Sequence, residues 1–404
     1  MTGEKGVGAG FIEHIPGTAP VAPPERHPGA KGVGVLGLHE GRTLLIALES
    51  RCVFARAVAG CDLSEEKIAA SRRELPGLYY TPDYGSMLSR PEVEIVAIYT
   101  PDHLHAEHVE RAFEAGKDVI CTKPLANSLE GAKRILEAGR RTGRRLLVGQ
   151  STRFFEPFRR QRSALERGDF GGLNAVEMVD AHYIHRMDWY YRKSRWAATE
   201  TDWVFLGLSH PVDLVRWYLG RIRCVHALGV VSAMGRAFGV NGRDMYVVNL
   251  LAEDGRIARV MGHYGCHELP TARNCIECLV FASGGTSLAQ YHDMRYVHTA
   301  SGADDEAVGV GGGAFRPGAH AEIVEDLLYA GRHYYFNSEV HGMHYGEFAN
   351  YADHFASGLI SGEPRSPELE EGVETVCVME AIRRSAETGE PVEIAPLLRQ
   401  VGLA

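Results

Sequence analysis

A doubly wound, parallel α/β domain followed by an α+β domain with a large, open, mainly antiparallel sheet is the fold this sequence predicts. Three observations carry the prediction. Short apolar runs alternate with helical periodicity from Lys31 to Gly149. After Gln150 come several strand-like runs parted by turns such as Glu253-Asp254-Gly255. A chain of 404 residues is also too long for one small core. The expected divisions are a flexible arm over 1–30, the α/β domain over 31–152 and the second domain over 153–404.

The arm is rich in Gly, Pro and Ala, with Pro23-Pro24 and Pro28-Gly29 near its end, and it has no period of 2 or 3.6. It reads as disorder or as an arm embracing a second subunit. Gly32-Val33-Gly34-Val35-Leu36-Gly37 reads as a buried strand, 42–48 as a helix and 52–60 as a strand. A helix begins after Ser64, its first turn carrying Glu65 and Glu66, which suit the positive end of a helix dipole. Strands over 93–99, 118–121 and 145–149 then alternate with helices over 104–115 and 129–141. In the second half a helix is expected over 157–167. Strands are expected over 175–184, 223–231, 245–251, 257–263, 274–282 and 287–291. The Gly-rich 301–320 reads as a long loop. Amphipathic helices are expected over 346–358 and 369–387, the latter packing back near the first domain.

Composition excludes several classes. Apolar content of 45% and charged content of 24% are those of a soluble globular chain. A net charge of -9 argues against a nucleic-acid partner, which needs a basic face. No run of about 18 apolar residues exists to span a bilayer, and no basic segment followed by an apolar one opens the chain as a secretory signal would. Eight cysteines scattered through apolar runs suggest reduced thiols and a cytoplasmic protein.

The chemistry gathers at strand ends. Val119-Ile120-Cys121-Thr122-Lys123-Pro124-Leu125-Ala126 places a lysine, with a proline behind it, outside the carboxyl end of a strand, where ligands of α/β units lie. A glycine fingerprint starting at Gly37 is incomplete: His39 and Arg42 stand at its second and third glycine positions, with Gly41 beside the third. Asp62 lies 25 positions beyond Gly37, near the offset at which a carboxylate reaches adenosine ribose hydroxyls, and an acid there favours NAD over NADP. Helical spacing would put Leu206 and His210 on one face, followed by Asp213 and Trp217. His182, Tyr183 and His185 share a strand, so at most part of that set faces a pocket. No metal is expected. Cys275 and Cys278 would point to opposite faces of a strand, His341-Gly342-Met343-His344 reads as a chance pair, and the glycine run over 309–313 has no lysine–serine continuation.

In order and spacing, these motifs resemble the Gfo/Idh/MocA family of nicotinamide-dependent sugar and cyclitol dehydrogenases, over roughly residues 31–400. The matching text is Val33 to Gly37, Asp62, Thr100-Pro101-Asp102-His103-Leu104-His105, Ala115-Gly116-Lys117-Asp118-Val119, Thr122-Lys123-Pro124-Leu125-Ala126, Gln150 with Arg153-Phe154, and Gly207-Leu208-Ser209-His210-Pro211-Val212-Asp213. The resemblance implies a Rossmann domain with NAD held by Gly37, Leu38, His39, Asp62, Thr100, Pro101, His105, Lys123 and Gln150. It implies a small polyol or sugar substrate near Arg153, His182, Trp196 and Asp213, and a homodimer or homotetramer joined through the sheet. Lys123 and His210 occupy the places of the family's proton-transfer and alkoxide-stabilising groups. Two departures stand out: Thr122 replaces the glutamate before the lysine, and Leu206 replaces the aspartate four residues before the histidine. The function expected is oxidation or reduction at a secondary alcohol of a sugar, cyclitol or aminocyclitol. The alternatives are an oxidation–elimination glycosidase and a ligand-binding regulatory protein that keeps the fold alone.

Overall fold

The structure, a computed structural model, describes residues 12–14, 24–267, 275–299, 322–327, 334–338, 342–344 and 346–403. Most of the expected arm, the 301–320 loop with its glycine run, and His341 lie outside the described residues. From Arg26 onward the chain is tied down. The Arg26 guanidinium donates to the carbonyls of Leu48 and Glu49 at 3.2 Å and pairs with the Glu49 carboxylate at 3.0 Å, so the arm ends before residue 26.

Short strand β1 (Ile12–His14) belongs to a small antiparallel sheet described below. The α/β unit then runs β2 (Lys31–Leu36), α1 (Gly41–Ser50), β3 (Ala55–Cys61), α2 (Glu65–Glu74), β4 (Tyr79–Thr81), α3 (Tyr84–Leu88), β5 (Ile95–Ile98), α4 (His105–Glu114), β6 (Asp118–Thr122), α5 (Leu129–Thr142) and β7 (Leu146–Gly149). Its strands are all parallel, in the order β4-β3-β2-β5-β6-β7. The central strands are buried on both faces, as a sheet covered by helices on each side requires: Val33, Val35, Ile95, Val96, Ala97 and Ile98 are all inaccessible. Two elements escape sequence periodicity. β4 is three residues long, and α3 is a five-residue helix held by Asp83, whose carboxylate accepts from the Gly85 and Ser86 N–H groups. At α2 the Ser64 hydroxyl accepts from Lys67 N at 3.4 Å.

The second half comprises α6 (Glu156–Glu166), β8 (Val176–Ile184), α7 (Asp188–Lys193), α8 (Trp196–Thr199), α9 (Trp203–Leu206), α10 (Ser209–Leu219), β9 (Ile222–Val230), α11 (Ala233–Phe238), β10 (Met245–Ala252), β11 (Ile257–His263), β12 (Ile276–Ala282), β13 (Gly285–Tyr291), β14 (Arg295–Thr299) and β15 (Glu322–Asp326). β16 (Tyr334–Ser338) and β17 (Gly342–His344) pair with β1, and the chain closes with α12 (Glu347–Ser361), α13 (Leu369–Thr388), β18 (Val392–Glu393) and α14 (Ala395–Val401). Among the described residues the large sheet has nine strands, β15-β14-β13-β12-β8-β11-β10-β9-β18, antiparallel except where β8 meets β11. One face packs on α10 and α13. The other presents Leu228, Val230, Val247 and Ile257 to solvent.

Both C-terminal helices return to the first sheet. α13 packs against α5 through Leu369, which touches Gly139, and α12 adds Phe348, Tyr351, Ala352 and Phe355 to the core beneath α1. Asp353 of α12 accepts from the backbone N–H groups of Val53, Phe54 and Ala55 at 2.7–3.1 Å, stitching the start of β3 to a segment 300 residues away. The described residues contain no helix long and apolar enough to cross a membrane.

One expectation is corrected here. Leu206 and His210 do not share a helix: Leu206 ends α9, His210 lies in the first turn of α10, and Gly207-Leu208 separates the two. A side chain at Gly207 would collide with the Tyr264 ring, so only glycine fits between the two helices.

Candidate active site

The carboxyl ends of β2, β3, β5 and β6 face the α7–α9 segment and β8 across a cleft of about 1060 Å³. Its first wall is the turn after β2. Gly37 has φ +93°, and a Cβ there would stand 2.7 Å from the Tyr99 carbonyl oxygen, so only glycine fits. A Cβ on Gly41 would meet Val35 at 2.6 Å. Close packing of helix on strand, the task of the fingerprint's third glycine, thus falls to Gly41 rather than to position 42. His39 and Glu40 both line the cleft. At the end of β3, Asp62 accepts from Leu38 N at 2.7 Å and Ser64 N at 2.9 Å, with Lys67 Nζ at 3.4 Å. Leu38 therefore acts through its backbone and does not line the cleft. This glycine cradle, the helix N-terminus behind it and the acid at the next strand end fit a dinucleotide.

Thr100 and Pro101 line the cleft after β5. His105 is buried with its two ring nitrogens 2.8 Å from the carbonyl oxygens of Pro124 and Thr100. It lashes the turn after β5 to the turn carrying Lys123, and burial lowers it to about 4. Gln150 is buried between two lining neighbours, Gly149 and Ser151, but does not itself line the cleft.

Lys123 and His210 meet in the cleft's floor. Lys123 Nζ donates to the Leu206 carbonyl at 2.8 Å, an acceptor released where α9 ends. Burial lowers Lys123 to about 8, against the opposing pull of Glu40 and Asp102. His210 is held well below its ordinary value, first by burial and then by the Lys123 charge, so its imidazole is neutral. Its Nδ1 has no hydrogen-bond partner among the described residues, and Tyr183 meets its ring edge-on at 5.2 Å. A lysine amine and a neutral imidazole thus both line the cleft.

Of the expected substrate residues, Trp196 lines the cleft and three do not. Arg153 and Asp213 are consumed by each other, Arg153 Nε and Nη2 donating to the two Asp213 oxygens at 2.7 and 2.8 Å with both side chains buried. Arg153 Nη1 continues to Ser366 and Glu371, so the pair clamps α10 to the start of α13. His182 points to the other face of β8, 3.9 Å from Glu277, because side chains alternate along a strand. Its neighbours Tyr183 and His185 face the cleft instead. Around them stand Trp189, Tyr190, Tyr291 and His292, residues with no motif to announce them. Cys275 precedes β12 and also lines the cleft, whereas Cys278 is buried in the core. Asp102, in the turn after β5, also lines the cleft, without a signal of its own in the sequence. Burial raises it to about 6, and its Oδ2 accepts from the Thr201 hydroxyl at 2.6 Å.

Comparison with known proteins agrees with this geometry. The oxidoreductase family with an NAD-binding Rossmann fold, Gfo/Idh/MocA, matches residues 31–150. Over that stretch the chain is similar to the Gfo/Idh/MocA family. Among curated relatives, the 1-carboxy-3-chloro-3,4-dihydroxycyclohexa-1,5-diene dehydrogenase of Comamonas testosteroni is 31% identical over 190 residues, 46% of either chain. The inositol 2-dehydrogenase of Streptomyces avermitilis is 32% identical over 192 residues, 47% of this chain and 53% of that protein. The chain thus spans about half the length of the curated relatives it matches. A solved oxidoreductase from Agrobacterium radiobacter, in complex with NAD+, L-tartaric acid and magnesium, shares the fold. It covers 91% of this chain and 99% of its own, with a TM-score of 0.74 and 19% identity. The matched stretch, residues 31–150, is an NAD-binding Rossmann domain.

Proposed function

We propose that this protein oxidises, or in reverse reduces at, a secondary alcohol of a sugar, cyclitol or aminocyclitol. The observation that carries the reading is the pairing of Lys123, near 8, with neutral His210 in the floor of a cleft whose other end fits a dinucleotide. NAD supplies the hydride acceptor at that end, with Asp62 disfavouring a 2′-phosphate. An alcohol losing hydride must also lose its hydroxyl proton, and charge builds on the oxygen as it does. Protonated Lys123 would stabilise that charge, and His210 would take the proton. The Leu206 carbonyl fixes Nζ, an orienting task that a side-chain carboxylate at 206 would otherwise serve. Trp189, Tyr190 and Trp196 offer flat apolar faces suited to the C–H face of a ring. The curated relatives named above are dehydrogenases, one of inositol and one of a dihydroxylated cyclohexadiene, and both support a cyclic substrate. The exposed apolar face of the nine-stranded sheet supports a homo-oligomer joined there, which sedimentation of the purified protein would measure.

The test is NADH formation across a panel of inositols, aminocyclitols and pyranoses. Steady NADH accumulation with a subset of cyclic polyols is expected. NAD binding without NADH from any member would overturn the reading, and sugar release without NADH would replace it with oxidation–elimination.

A further inference from the structure

Lys123 is fixed by one short segment of the second half, and so is a carboxylate beside it. β5 and β6 are neighbouring parallel strands with Ile98 opposite Cys121. The turns that follow them, carrying Asp102 and Lys123, therefore adjoin, and His105 lashes them together through the Pro124 carbonyl. Across the cleft, the stretch from Thr201 to Leu206 reaches both turns. The Thr201 hydroxyl donates to Asp102 Oδ2 at 2.6 Å, and the Leu206 carbonyl accepts from Lys123 Nζ at 2.8 Å. Asp102 is buried, and its second oxygen, Oδ1, has no hydrogen bond of normal geometry among the described residues. A buried carboxylate in that state is costly unless a positive charge compensates it. Lys123 and Asp102 feel each other's charge without forming an ion pair.

We propose that Asp102, alongside Glu40, helps keep Lys123 protonated, with Thr201 the positioning residue that holds Asp102 in place. The carboxylate absent at position 206 is in this view replaced by one arriving from the turn after β5. The inference rests on the reading of Lys123 as the group serving the reacting oxygen, yet its test needs no substrate. Among the described residues, the groups that act on Lys123 are Glu40 from the turn before α1, Asp102, the Leu206 carbonyl, and His210, which is neutral and adds no charge of its own. Glu40 favours the cation more strongly, but it is only half-buried. Asp102 is enclosed and anchored. Thr201 acts on the lysine only through Asp102: its hydroxyl favours the ionised carboxylate, so losing it leaves Asp102 neutral at higher pH.

The experiment is a titration of the intact protein labelled with ¹³C at the lysine ε-carbons. The chain has seven lysines, and the Lys123 signal is assigned by its loss in Lys123→Ala. In the parent protein Lys123 should titrate at about 8. In Asp102→Asn the midpoint should fall by about one unit, from loss of one nearby opposite charge. Thr201→Val, close in shape and lacking the hydroxyl, should move it in the same direction by less. Unchanged midpoints in both variants, each folded and binding NAD as the parent does, would overturn the proposal. So would a fall in Asp102→Asn with a rise in Thr201→Val. Because the readout is a protonation midpoint, neither result depends on which substrate the enzyme turns over.

Discussion

Removing the Arg153 guanidinium separates a structural role from a substrate-binding one. Arg153→Met strips two hydrogen bonds of 2.7 and 2.8 Å from Asp213, whose side chain is 2% exposed. The carboxylate is then left in the core with Arg216 as its remaining cationic neighbour. Breaking one side of such a pair costs about 3–5 kcal/mol. Burial already pushes the Asp213 carboxyl above its usual range, so proton uptake at neutral pH would hold the loss near the lower figure. With a urea m-value of roughly 3–4 kcal/mol/M for a chain of this size, the midpoint should fall by about 1 M. In the double variant Arg153→Met/Asp213→Leu no buried charge is orphaned. Most of the loss should return, giving a coupling energy of about 2–3 kcal/mol. The assay is urea unfolding followed by fluorescence, alongside KM for the best polyol of the panel. A midpoint shift below about 0.2 M with a KM raised about tenfold (~1.4 kcal/mol) would refute the clamp and return Arg153 to the substrate.

Asp62→Ser should weaken NAD binding about tenfold (roughly 1.4 kcal/mol) and improve NADP relative to NAD, since the acid that repels a 2′-phosphate is gone; isothermal titration with the two dinucleotides checks it. For alcohol oxidation, kcat/KM should be flat through neutral pH and fall above about 8. His210, its value depressed, is already neutral there, whereas Lys123, lowered to about 8, loses its proton. A profile that instead rises through 8 would make neutral Lys123 the base and is read directly from the pH–rate curve.

How much of this was legible in the sequence depended on whether a signal was local. The parallel sheet was, because β2, β5 and β6 are apolar runs spaced by long helices, and the ranges expected for β6, α5 and β11 fall within a residue or two of those observed. β4 and α3 were not, being shorter than one period of any pattern. Lys123 and His210 were found through motifs and do meet in one cleft. Arg153 and Asp213 also lie in motifs, but nothing in either stretch says that they satisfy each other, a contact made across 60 residues. On β8 the alternation is evident in the sequence and its phase is not, because phase is set by what the strand packs on: Tyr183 and His185 face the cleft and His182 does not. The helix break at Gly207-Leu208 was hidden because the helical spacing of Leu206 and His210 runs straight across it.

The central claim, that Lys123 serves the reacting oxygen, is tested most directly by hydride transfer in Lys123→Ala. In that variant kcat should fall by a factor of about 10³ or more, the scale of one lost donor to a developing oxyanion. The dissociation constant for NAD should stay within about threefold (~0.7 kcal/mol), since Gly37, Gly41 and Asp62 are untouched. Turnover within about tenfold of the parent, at unchanged NAD affinity, would contradict it.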